Sequence, residues 1–107
     1  MTSIKKITLS IGLNDKVAKV QLIPTEKAME IVKDKVLAIG GATIIPDCLG
    51  VYTHYDGTII VEKSLQVIFY GANVDAVKAA AVEIGKALNQ ESIALEISTV
   101  KSEFIAC

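Results

Sequence analysis

Arginine is absent. All eleven basic residues are lysine, so the chain has no planar guanidinium fork to grip phosphate bidentately and none to stack on a base. Nucleic-acid readout and arginine-dependent phosphate chemistry lose ground accordingly. The formal net charge of −1 adds no field steering toward nucleic acid or an anionic membrane. Cysteine is scarce as well. Cys48 and Cys107 stand far apart with no C-x-x-C or histidine-rich spacing, which argues against a metal or redox motif and predicts two free thiols. No apolar run is long enough to span a bilayer, and Met1-Thr2-Ser3-Ile4-Lys5-Lys6 lacks a long h-region and a cleavage site. The expectation is a cytoplasmic protein with no cofactor.

What is abundant is apolar surface. Hydrophobic residues make up 51% of only 107 positions, enough chain for one core (residues 1–107 as a single domain) and more apolar surface than one small domain hides. Part of it is expected between subunits of a homo-oligomer.

Periodicity predicts the elements. Ile7, Leu9, Ile11 and Leu13 alternate with Thr8, Ser10 and Gly12 as a strand with one buried face. Asn14-Asp15-Lys16 reads as a turn, and Val17 to Ile23 as a short extra strand or an extended connection. Pro24-Thr25-Glu26 starts a helix with Thr25 as its N-cap; Met29, Val32, Val36 and Ile39 form its apolar stripe, and Gly40-Gly41 stops it. Ala42 to Tyr55 and Thr58 to Tyr70 are two strands joined by the hairpin signal Asp56-Gly57. Pro46 and Gly50 interrupt the first of these, which places it at a sheet edge. Asn73 caps a second helix with Val77, Ala80, Ala81, Ile84 and Leu88 on one face. Asn89-Gln90-Glu91-Ser92 ends it, and Ile93, Leu95 and Ile97 begin a last strand that the tail from Lys101 extends.

The order β-α-β-β-α-β predicts an α+β, ferredoxin-like sandwich: a four-stranded antiparallel sheet with both helices on one face and the second and fourth strands at the edges. Hairpin arms of about fourteen residues would reach roughly 45 Å against roughly 25 Å for the helices, so the hairpin should project past them.

Candidate functional residues cluster around that arm. His54 is the only histidine, hence the only side chain with an unperturbed pKa near neutrality, and Glu62 is expected opposite it. Tyr52 and Tyr55 offer flat amphipathic surfaces suited to a ring-shaped ligand or a subunit interface. Asn14, Ser64, Glu91 and Ser92 can supply hydrogen bonds near strand ends. No phosphate loop, nucleophile elbow or paired-carboxylate motif is present; Ile39-Gly40-Gly41-Ala42 ends a helix, whereas phosphate cradles open one.

Ile11-Gly12-Leu13-Asn14, Gly50-Val51-Tyr52 leading to Gly57-Thr58-Ile59-Ile60-Val61-Glu62-Lys63-Ser64, and Gln90-Glu91-Ser92-Ile93 resemble an uncharacterised family of small bacterial and phage proteins, a domain of unknown function. The resemblance implies a ferredoxin-like fold and carries no activity. The sequence therefore leans toward a non-catalytic oligomer binding a small ring-containing molecule between subunits through Asn14, Tyr52, His54, Glu62, Ser64 and Glu91. A phage-encoded sponge for a nucleotide immune signal is the concrete version. The alternatives are a dimeric α/β-barrel enzyme using His54 for proton transfer and a protein-interaction or inhibitor module.

Overall fold

The computed structural model describes all 107 residues. The chain forms β1 (Thr2–Gly12), α1 (Thr25–Leu37), β2 (Thr43–Thr53), β3 (Ile59–Tyr70), α2 (Val74–Ala87) and β4 (Ala94–Ser102). The strands make one antiparallel sheet in the order β2-β3-β1-β4, the ferredoxin-like arrangement, with β2 and β4 at the edges. No helix is long and apolar enough to cross a membrane.

The core is one layer between sheet and helices. Ile7, Leu9 and Ile11 stand directly opposite Phe69, Val67 and Leu65. All six are fully buried beneath Ala28, Val32 and Val36 of α1 and Val77 and Ile84 of α2. Strand alternation turns Thr8, Ser10 and Gly12 of β1 to the other face, together with Ser64 and Gln66 of β3. That face has no helix over it.

Several local expectations are corrected. Thr25 does not cap α1. Pro24 occupies the cap position with no side-chain bond, and the Thr25 hydroxyl instead accepts from Gln21 Nε2 at 3.1 Å. Ala28, rather than Met29, opens the buried stripe, and α1 ends at Leu37, before Ile39. Val17–Ile23 is a connection and not a strand; its one ladder contact is the bridge between Asn14 and Gln21. β1 begins five residues earlier than the alternating apolar run, because Thr2–Lys6 pair with Ser98–Ser102 of β4. The tail extends β4 only as far as Ser102.

Asn73 caps α2, its Oδ1 accepting from the Ala76 N–H at 2.9 Å. β2 passes Pro46 through a bulge that shifts its register between Ile45 and Cys48 and holds Asp47 at φ +58°. A proline without an N–H is tolerated there because the strand is an edge. The hairpin tip is wider than a two-residue turn. Thr53 still pairs with Ile59, and His54 N–H donates to Thr58 C=O at 2.7 Å. Tyr55-Asp56-Gly57 make the turn, with Gly57 at φ +87°, the usual three-residue hairpin with a left-handed closing residue. The arm does project: the molecule measures 46 × 27 × 27 Å, while the 14 residues of α2 span only about 21 Å.

Truncating Phe69 to alanine in this single-layer core should cost about 3–5 kcal/mol, and Asn73→Ala about 1 kcal/mol through the lost cap. Urea unfolding at fixed protein concentration should report that order of severity.

Candidate functional site

Where β1 leaves the sheet, its backbone loses its ladder partner. The last rung is Leu13 N–H to Lys63 C=O at 3.0 Å. The next donor, Asn14 N–H, is taken by a side chain, Glu62 Oε2 at 2.9 Å. The other oxygen of the same carboxylate, Oε1, accepts from the Tyr52 hydroxyl at 3.4 Å. Glu62 therefore ties the end of β1 to the edge strand β2 across β3. Gly12 makes this possible: a Cβ there would overlap the Glu62 carboxylate, so only glycine lets that side chain lie flat over the sheet.

The opposite wall is the connection after β1. Asp15 Oδ2 accepts the Val17 and Ala18 N–H groups at 3.0 and 2.9 Å, and Oδ1 accepts Asn89 Nδ2 at 2.7 Å. Lys16 N–H donates to Asn89 C=O at 3.0 Å, and Gln90 Nε2 donates to Asn14 C=O at 2.7 Å. The β1–α1 connection and the α2–β4 turn are thus clasped together. These bonds favour the ionised form and hold the Asp15 carboxyl below its ordinary value, the Ala18 N–H and Asn89 amide contributing most.

Between these walls lies a groove of about 350 Å³ on the helix-free face of the sheet, within the range of small-molecule sites. Asn14, Tyr52, His54, Glu62, Ser64 and Glu91, the six residues singled out from sequence, all line it. Ser92 joins them. The sequence reading missed Gly12, Asp15, Lys16, Lys19 and Gln90 on the same walls. A signal existed for Gly12, which stands where the helix-free face of β1 otherwise carries Thr8 and Ser10.

One pairing is corrected. Glu62 does not face His54; it stands opposite Gly50 and bonds Tyr52. His54 lies beyond the last strand pair and brings Nδ1 to 3.4 Å from Asp56 Oδ1, with its ring 4.2 Å from that of Tyr55. Asp56 is held below its ordinary pKa chiefly by bonds from Thr58. The His54–Asp56 pair is a feature of the hairpin tip, and the alternative of His54 proton transfer loses Glu62 as its orienting partner.

A second groove, about 400 Å³, lies outside edge strand β4 against α2, with Val82, Gly85, Ile93 and Leu95 between Lys78 and Lys86. It shares Gln90, Glu91 and Ser92 with the first.

No family model and no curated protein matches the chain. Solved structures do. A phage SAM lyase in complex with S-methyl-5'-thioadenosine superposes with a TM-score of 0.65 at 23% identity, over 96% of this chain and 93% of that one. The divalent cation tolerance protein CutA1 from Thermus thermophilus matches at 0.52 and 16%, over 98% and 88%. CutA1 from Oryza sativa matches at 0.53 and 17%, over 97% and 87%. At these identities the likeness establishes a shared fold.

The Tyr52 phenol is held above its ordinary pKa, first by desolvation in the groove and then by the Glu62 charge and hydrogen bond. With the phenolic proton favoured, Tyr52 should remain a donor throughout the neutral range. Ultraviolet titration of the wild type and of Glu62→Gln should show the Tyr52 ionisation moving to lower pH in the variant.

Proposed function

We propose that the groove binds S-adenosylmethionine and releases S-methyl-5'-thioadenosine from it. The observation that carries this reading is the Tyr52–Glu62 pair, a phenol donor on a fixed carboxylate. It sits in a polar groove whose walls carry both ammonium and carboxylate groups. Such a groove suits a ligand that is itself zwitterionic, with an aromatic base for Tyr52 and hydroxyl or ammonium donors for Glu62 and Glu91. The likeness in fold to the phage SAM lyase supports that ligand class.

The chemistry asks little of the protein. The bond from the sulfonium sulfur to Cγ of the amino-acid side breaks, and its electron pair returns to sulfur and neutralises it. The substrate's own carboxylate closes on Cγ to give a lactone, so no external nucleophile and no net proton are required. The protein contributes by folding the substrate into line and keeping water away. The absence of a nucleophile elbow or acid–base pair, which argued for a non-catalytic binder on sequence grounds, is compatible with that role.

We propose further that the site is completed between copies of the chain. A single chain exposes 6991 Å², whereas a folded monomer of this mass exposes roughly 5,800 Å². The excess, on the order of 1,200 Å², is comparable to what a specific interface covers. Leu49, Val51, Ile59 and Val61 form an uncovered apolar row on the arm. The groove outside β4 offers apolar side chains of matching character beside a free strand edge. An arm from a second copy laid there covers both and approaches the shared wall Gln90–Ser92.

Two measurements test these readings. Incubation with S-adenosylmethionine, followed by mass spectrometry, should show S-methyl-5'-thioadenosine accumulating. Glu62→Gln should reduce the rate by about a hundredfold and Tyr52→Phe by about tenfold or more. Binding without any turnover would favour the sponge reading, and no binding by the folded protein would refute both. Native mass spectrometry should find a symmetric oligomer that Val51→Asp with Val61→Asp converts to monomer; a monomeric wild type would remove the inter-subunit site.

A further inference from the structure

The groove is bipolar. Asp15, Glu62 and Glu91 supply its carboxylates and Lys16 and Lys19 its ammonium groups. Asp15 is committed to the loop, with both oxygens taken by Val17, Ala18 and Asn89, and Glu62 is fixed by Asn14 and Tyr52. The two lysines are less committed, although the Lys16 charge acts weakly on the Asp15 carboxylate. Neither takes part in a salt bridge, the ion pairs of the chain being Lys33–Glu30 and His54–Asp56.

Their backbone, by contrast, is tightly held. Asp15 N–H donates to Val20 C=O at 2.8 Å, Lys19 N–H to Asp15 C=O at 2.9 Å, and Lys16 N–H to Asn89 C=O at 3.0 Å. Lys19 sits at φ +64°, left-handed backbone that a lysine seldom adopts and for which glycine or asparagine is the ordinary choice. A long cationic side chain in a strained, clasped position beside a groove, with no partner inside the protein, is placed to meet an anion from outside.

We infer that Lys16 and Lys19 form the anion-holding end of the groove and select a ligand by its carboxylate. The inference rests on the ligand reading above and deepens it. A lysine holding one carboxylate oxygen leaves the other free to close on Cγ. Once S-methyl-5'-thioadenosine has formed, it carries no carboxylate and loses this contact, so the lysines favour substrate over product and help the product leave.

Three non-reacting probes separate the contributions, each titrated calorimetrically into the full-length protein. S-adenosylhomocysteine carries carboxylate and ammonium; 5'-deoxy-5'-(3-aminopropylthio)adenosine lacks the carboxylate; S-methyl-5'-thioadenosine lacks both. Lys16→Gln with Lys19→Gln should weaken S-adenosylhomocysteine about tenfold, about threefold per charge, and leave the other two within about twofold. Lys16→Arg with Lys19→Arg should keep the charge and restore most of the affinity, which guards against a damaged loop. An equal loss for all three probes, or no loss for S-adenosylhomocysteine, would overturn the inference while leaving the groove as a ligand site. A wild type that binds none of the three would overturn the ligand reading itself.

Discussion

The carboxylate of Glu62 is the joint on which the candidate site depends. It sits where the body of the domain ends and the arm begins, and there it accepts hydrogen bonds from two groups. One is the first N–H beyond the β1–β3 ladder, on Asn14; the other is the hydroxyl of Tyr52 on the edge strand. A backbone donor leaving a sheet needs a partner. Supplying that partner from a charged side chain fixes the carboxylate in place at the same time. Gly12 is the steric half of the arrangement, since any Cβ would occupy the space the carboxylate lies in.

The hairpin turn decides that the two partners meet. A two-residue turn at Asp56-Gly57 would pair Glu62 with Val51 and send Tyr52 to the opposite face, because a shift of one residue exchanges the faces of a strand. The three-residue turn closed by Gly57 pairs Glu62 with Gly50 and Tyr52 with Ile60. Both side chains then stand over the groove. The bulge at Pro46 and Asp47 restores the register on the other side, so that Ile44 faces Val67 in the core. Backbone irregularity at the tip and at the bulge thus reconciles a buried helix face with an open, groove-bearing face on one strand pair.

Much of the fold was legible because its signals are local. The alternation from Ile7 to Leu13, the stripe Val77–Ile84 and the Asn73 cap each arise from a period or a capping bond within one turn. Pro46 marked the edge for an equally local reason, its missing donor. Thr25 failed as a cap because the helix already includes it, with Pro24 at the cap position, and its hydroxyl accepts from Gln21 instead. The six site residues converge because their strands present them on one face or at one end of the sheet. Lys16 and Lys19 were not legible, since their connection has no periodicity and takes its shape from bonds to Asn89 and Gln90. Those partners lie more than seventy residues away.

The central claim is that the groove around Glu62 is where a ligand binds. Amide-resolved NMR titration with S-methyl-5'-thioadenosine tests it most directly. The account predicts saturable shifts concentrated at Gly12, Asn14, Tyr52, Glu62 and Glu91. Shifts confined to Lys78, Val82 and Ile93 outside β4, or none at any ligand concentration, would contradict it.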